Sequence, residues 1–183
     1  MKQNIEIKAI VNNTTQLEQN ILEYSSGLKE ILEQTDTFFN TNNGRLKLRE
    51  FSNQEAQLIY YKRQNQEGPK SSSYAIHQVS DAAGLKECLN LSYGIKGIIK
   101  KTRRLYFNDQ TRIHLDKVEG LGDFIELEVV LEANQTFDFG ESIAQELMQK
   151  LKIKPDQLID CAYIDLLQNN LFNNEKRAAN AAL

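Results

Sequence analysis

The chain has 183 residues, 40% hydrophobic and 26% charged, and its 22 Lys and Arg against 25 Asp and Glu give a formal net charge of −3. That composition describes one globular domain able to bury a core without disulfides, and its acidic total argues against a general nucleic-acid binder. No run approaches the roughly 18 apolar residues of a membrane helix, and the opening Met1-Lys2-Gln3-Asn4-Ile5-Glu6 alternates too early for a signal peptide, so a cytoplasmic protein without membrane partners is expected.

In chain order, Ile5, Ile7 and Ala9 alternate with Asn4, Glu6 and Lys8 and predict a first strand. Leu17, Ile21, Leu22 and Leu28 recur at helical spacing after Thr14-Thr15, with Gly27 near the end. Phe38-Phe39 lead into the turn signal Asn42-Asn43-Gly44, and Arg45 to Phe51 alternate strictly, with Leu58 to Arg63 as hairpin partner. Gln64 to Ser73 reads as a loop, Tyr74 to Val79 as a strand, and Ser80 or Asp81 to Leu91 as a helix. Ile98–Phe107, Arg112–Val118 and Phe124–Leu131 predict a meander broken at Asn108-Asp109-Gln110 and Gly120-Leu121-Gly122. Ser142 to Leu151 is helical by period, Pro155 interrupts, and Gln157 to Leu171 predicts a last amphipathic helix. The expectation is one domain over residues 1–172 with about eight strands and three or four helices, and a frayed polar tail over 173–183. Cys88 and Cys161 lie far apart without further ligands at metal spacing and read as buried free thiols.

The polar faces of these strands carry the signal. Lys8, Arg45, Lys47, Arg49, Lys62, Lys101, Arg103 and Arg112 stand against Glu6, Asp116, Glu126 and Glu128, a basic excess inside an acidic chain. A solvated sheet face is the plain reading of any one strand. Taken jointly that reading weakens, and if the strands curl into a closed barrel with these faces inward, the lumen is charged and the apolar outer faces must be covered by helices. Such a lumen needs a polyanion to balance its cations; Arg and Lys suit phosphate. Carboxylates beside them make sense if a divalent cation bridges to phosphate oxygens, and an all-oxygen donor set favours Mg²⁺ or Mn²⁺.

Several segments together resemble the CYTH domains, the triphosphate tunnel metalloenzymes: Ile5-Glu6-Ile7-Lys8-Ala9, Gly44 to Glu50, Lys101-Thr102-Arg103, Ile113 to Asp116, Gly120 to Glu128, and Tyr163 to Leu167. Within that family the chain looks most like the bacterial class IV adenylyl cyclase-like branch, which includes hydrolases. The resemblance implies an α+β fold built on an eight-stranded antiparallel tunnel that binds a triphosphate with divalent metal. By motif position it implies metal carboxylates at Glu6, Glu126 and Glu128 with Asp116 contributing, and a catalytic set of Glu6, Lys8, Glu126 and Glu128. Phosphate oxygens would fall to Lys8, Arg45, Lys47, Arg49, Lys62, Lys101 and Arg103, and to Arg112 at the rim or in the site. One departure stands out: the family signature Glu-x-Glu-x-Lys begins here with Asn4, which keeps an oxygen donor and loses a charge.

Other residues stay open on sequence alone. His114 lies between Arg112 and Asp116 on the polar face, suited to a general base or to a structural hydrogen bond. Arg63 is expected at the surface, opposite Lys62, while Tyr60 shares the Lys62 face, so that Tyr60 and Tyr74 are the available base contacts. The leading expectation is a metal-dependent phosphohydrolase acting on inorganic, nucleoside or thiamine triphosphate. An adenylyl cyclase releasing cyclic AMP and pyrophosphate, and a non-catalytic polyphosphate or nucleotide binder, are the alternatives. The expected partner is a small-molecule triphosphate, and the chain is expected to be a monomer or homodimer.

Overall fold

The computed structural model describes residues 1–170. Its elements are β1 (Lys2–Ile10), α1 (Thr14–Tyr24), β2 (Leu28–Phe39), β3 (Arg45–Phe51), β4 (Ala56–Arg63), β5 (Lys70–Val79), α2 (Ala82–Tyr93), β6 (Ile95–Asn108), β7 (Thr111–Val118), β8 (Gly122–Val130) and α3 (Phe137–Lys150). A single 3-10 turn follows at Pro155–Gln157, and a last helix, α4, is described over residues 163–170. The strands close into an antiparallel barrel in the order β1-β5-β4-β3-β2-β6-β7-β8, so the α+β tunnel architecture stands as expected.

Alternation decides which side of each strand faces which solvent. Ile5, Ile7, Ile113, Leu115, Ile125, Leu127 and Val129 point outward and are buried under Leu17 and Ile21 of α1 and Ala144 and Leu147 of α3. Gly140 lets α3 settle on β1, since a Cβ there would lie 2.6 Å from both the Ile5 and Leu131 side chains. A smaller outer layer seats Leu85 and Leu89 of α2 on Phe39, Leu48 and Ala56. Helix starts are fixed by Asn13, Asp81 and Thr136, whose side chains accept the backbone N–H of Gln16, Gly84 and Phe139.

Several sequence expectations change. Residues 28–39 form a 12-residue strand where periodicity offered none, because the outer face of β2 is exposed over its first half and the inner face looks into a polar lumen, leaving little apolar alternation to read. The expected loop at Gln64–Ser73 yields its last residues to β5, and α3 starts at Phe137 rather than Ser142. The last helix is shorter than Gln157–Leu171 at its start, because Leu158 bridges to Ala9 and residues 158–162 form no helix before α4 begins. Cys88 is exposed and Cys161 half-buried, so neither is the core thiol expected. The tail over 173–183 lies outside the described residues.

Candidate functional site

The register sorts the inward residues into tiers along the barrel axis. One end is closed by Phe38, Ile99, Val118 and Phe124, packed against Ala162, Tyr163 and Ile164 of the C-terminal segment. Phe124 and Tyr163 meet edge to face with ring centroids 4.9 Å apart. At the other end Leu32, Phe51, Tyr74, Ile76 and Leu105 make an apolar rim around a cavity of about 290 Å³. Between them seven cations, Lys8, Lys47, Arg49, Arg63, Lys101, Arg103 and Arg112, face Glu6, Asp36, Asp116, Glu126 and Glu128.

The middle tier is an ion-pair lattice. Asp36 accepts from Lys47 Nζ at 2.8 Å and is clamped by Arg49 through two bonds of 2.7 and 2.8 Å. Asp116, fully buried, accepts two bonds from Arg103 at 2.6 and 2.5 Å and one from the Tyr163 hydroxyl at 3.1 Å. Lys101 Nζ bridges the two, 3.8 Å from Asp36 and 3.6 Å from Asp116. Glu126 is gripped by Lys8 Nζ at 3.1 Å and Arg103 Nη2 at 2.7 Å, and Lys8 also donates to the Cys161 carbonyl at 3.2 Å. Nearer the open rim, Arg112 lies 3.0 Å from Glu128 and Arg63 Nε 3.4 Å from Glu6.

These pairings set the protonation states. Burial pushes the Asp36 carboxyl up, but Arg49, Lys47 and Lys101 outweigh it and hold it well below the usual range. Asp116 falls to about 2, since Arg103 and Lys101 outweigh its burial. Burial and Arg49 bring Lys47 down to about 7 in spite of its bond to Asp36. Lys101 is lowered by burial and by Arg103. Glu6 moves the other way: burial, with Glu128 and Glu126 nearby, raises it against the pull of Arg63. His114 is kept toward its neutral form by burial and Arg103.

Of the residues singled out from sequence, Glu6, Lys8, Lys47, Arg49, Lys101, Arg103, Arg112, Glu126 and Glu128 converge on this lumen. Asp116 sits behind it with its oxygens engaged by Arg103 and Tyr163. Arg45 stands at the closed end, donating to Asp165 at 2.9 Å. Lys62 is the correction: it is exposed on the outer face, and Arg63 takes the inward place. Arg45 pairs with Tyr61 across β3 and β4, so Tyr61 and Arg63 share its side and Tyr60 and Lys62 point away. In Tyr60-Tyr61-Lys62-Arg63 both parities read alike, and only the pairing chooses. Tyr60 accordingly packs its ring against Gly44 at the hairpin, leaving Tyr74 at the rim. Sequence reasoning also missed Asp36; the two-residue spacing of Gln34, Asp36 and Phe38 was its available signal.

The match to a family model runs over residues 2–163 and is that of the CYTH domain. The chain belongs to the CYTH domain family. No sequence among the curated proteins matches it. Solved structures with the same fold include PH1012 from Pyrococcus horikoshii OT3, 24% identical over 89% of this chain and 98% of that one, with a TM-score of 0.79. An adenylate cyclase candidate from Vibrio parahaemolyticus is 19% identical over 92% of this chain and 99% of that one, TM-score 0.75. HpAC1 from Hippeastrum, an adenylyl cyclase candidate with a dominant triphosphatase activity, is 14% identical over 93% and 96%, TM-score 0.68.

Proposed function

We propose that this CYTH domain is a metal-dependent phosphohydrolase acting on a triphosphate held in the barrel. The observation that carries the reading is that two guanidinium groups, each already beside a carboxylate, keep buried nitrogens with unfilled hydrogen-bonding capacity. Arg63 Nε and Nη1 and Arg112 Nε are buried without a hydrogen-bond partner among the described residues. Buried guanidinium N–H groups left unpaired are costly, and a phosphate oxygen is the acceptor their fork geometry suits. Lys47, depressed to about 7 by burial and the neighbouring Arg49, supports the same reading, because the negative charge of a bound polyphosphate would restore its proton.

The residues divide the work along the axis. Lys47, Arg49, Arg63, Lys101 and Arg103 would neutralise the phosphate chain and fix it, supplying preorganised positive charge where charge develops in phosphoryl transfer. Asp36 and Asp116 act through these cations: each clamps an arginine in place by two bonds, so the guanidinium planes are set before any anion enters. The closed end, sealed by Tyr163 and Phe124, supports entry from the apolar rim. Leu32, Phe51, Ile76 and Leu105 at that rim favour a triphosphate carrying an organic group, nucleoside or thiamine, over a bare inorganic chain.

Glu126 and Glu128, with Glu6 paired to Glu128 on β1, would hold a divalent ion such as Mg²⁺ or Mn²⁺. A buried atom without a hydrogen-bond partner beside Glu126 and Glu128, His114 Nδ1, fits a cation at this place. Such an ion supplies Lewis-acid polarisation of a phosphoryl oxygen.

The purified protein is incubated with ATP and with tripolyphosphate, each with Mg²⁺ or Mn²⁺, and products are resolved by anion-exchange chromatography. Orthophosphate release, faster from ATP, is the expected result. Cyclic AMP with pyrophosphate would replace the hydrolase reading by the cyclase, and intact substrates would leave a binding role.

A further inference from the structure

From the placement of one buried imidazole, we infer that His114 is a ligand of the divalent ion, and that the site therefore prefers a first-row transition ion such as Mn²⁺ over Mg²⁺. The inference rests on the metal-dependent reading above and adds to it a nitrogen donor.

His114 on β7 pairs directly with Glu126 on β8, and Glu128 lies two residues further along the same inward face. Its Nδ1 lies 3.8 Å from Glu126 Oε2 and 3.6 Å from Glu128 Oε1, and one donor atom from each residue lies within 4.8 Å of the other two. Both separations are too long for a hydrogen bond. They match two donors sharing one ion, which at bond lengths of about 2.1 Å stand roughly 3 to 4.2 Å apart. The imidazole is only 4% exposed, and its Nδ1 has no hydrogen-bond partner among the described residues. An imidazole nitrogen held between two carboxylates, beyond hydrogen-bond reach of either, is a donor arrangement that a cation between them would complete.

The neighbouring donors leave this place open. Asp116 has both oxygens engaged by Arg103 and Tyr163, which removes it from ready coordination. Glu126 Oε2 is paired with Arg103 and Oε1 with Lys8, yet each carboxylate oxygen keeps a second lone pair. On β1, Asn4 lines the same lumen one inward position from Glu6, and its Oδ1 is also buried without a hydrogen-bond partner. The site thus has fewer free carboxylates than an all-oxygen cage and gains an imidazole. Mg²⁺ favours oxygen donors in strict octahedral geometry, whereas imidazole suits transition ions increasingly along the first row.

The test reads binding directly. The full-length protein is titrated with Mn²⁺, with and without tripolyphosphate; bound Mn²⁺ is counted by electron paramagnetic resonance, and electron spin echo modulation reports ligand nitrogen. Bound Mn²⁺ should show ¹⁴N modulation that changes to the ¹⁵N pattern on histidine labelling and vanishes in His114→Gln. In that variant Mn²⁺ affinity should fall about tenfold or more while Mg²⁺ affinity, read by competition, moves far less. Mn²⁺ bound to the wild type without nitrogen modulation overturns the inference and leaves the metal-dependent reading standing, and this arm needs no variant to fold. Failure to bind Mn²⁺ at all, with or without tripolyphosphate, overturns both.

Discussion

Anion binding should draw protons into the barrel, and Lys47 allows the amount to be worked out. Its Nζ lies 2.8 Å from Asp36 Oδ2 and faces the positive charges of Arg49 and Lys101, beside the rings of Phe38 and Tyr61. With its folded-state pKa depressed to about 7, the unfolded chain binds more protons than the folded one between pH 7 and the ordinary lysine value. The empty barrel should therefore gain stability as pH rises through that window, by up to about 5 kcal/mol from this group at 1.36 kcal/mol per pKa unit. A bound polyphosphate reverses the balance by favouring the charged amine. Above pH 7 the neutral fraction of Lys47 grows, so proton uptake attributable to Lys47 should rise between pH 7 and pH 8 toward about one per anion. Isothermal titration of tripolyphosphate in buffers of different ionisation enthalpy, with a chelator to exclude metal, measures this number. Lys47→Met supplies the subtraction, because it keeps length and removes the titrating group. Equal uptake in the wild type and Lys47→Met at pH 8 would refute the argument that the lumen holds Lys47 partly neutral.

Arg63→Gln should weaken tripolyphosphate binding roughly ten- to a hundredfold by removing a buried charge-assisted donor, while Lys62→Gln leaves it unchanged; calorimetry on the two variants checks the strand parity. Asp36→Asn strips the shared partner of Lys47, Arg49 and Lys101, so the anion-free protein should lose about 3–5 kcal/mol in denaturant melts and recover much of it with tripolyphosphate. Asn4→Glu adds a buried negative charge one inward position from Glu6. It should lower the melting temperature without metal and tighten divalent-ion binding, both readable by thermal shift and calorimetry; unchanged metal affinity would separate Asn4 from the ion site.

Most strands and most of the lumen side chains were readable from side-chain period, while the closed eight-stranded tunnel followed from the family resemblance. Arg45, Lys47 and Arg49 alternate with Leu46 and Leu48, and Glu126 and Glu128 with Ile125, Leu127 and Val129, and a two-residue period permits only one sorting of such strands. Motif order from Glu6 to Tyr163 likewise carried the family resemblance that the match over residues 2–163 bears out. β2 was hidden because its inner face is as polar as its outer one near Gln34 and Asp36, so hydropathy held no contrast there. Arg63 was misplaced because its neighbours are chemically alike on both faces, and it took the pairing of Arg45 with Tyr61 to assign it. Which carboxylate clamps which cation, and which polar atoms are left without partners, depends on residues as far apart as Asp36 and Lys101 or Asp116 and Tyr163. The sequence by itself determined which side chains each strand could present to a common interior. Only closure of the barrel decided their neighbours, since separations of a few ångströms between distant strands arise from register and shear, and short-range order along the chain does not encode those distances.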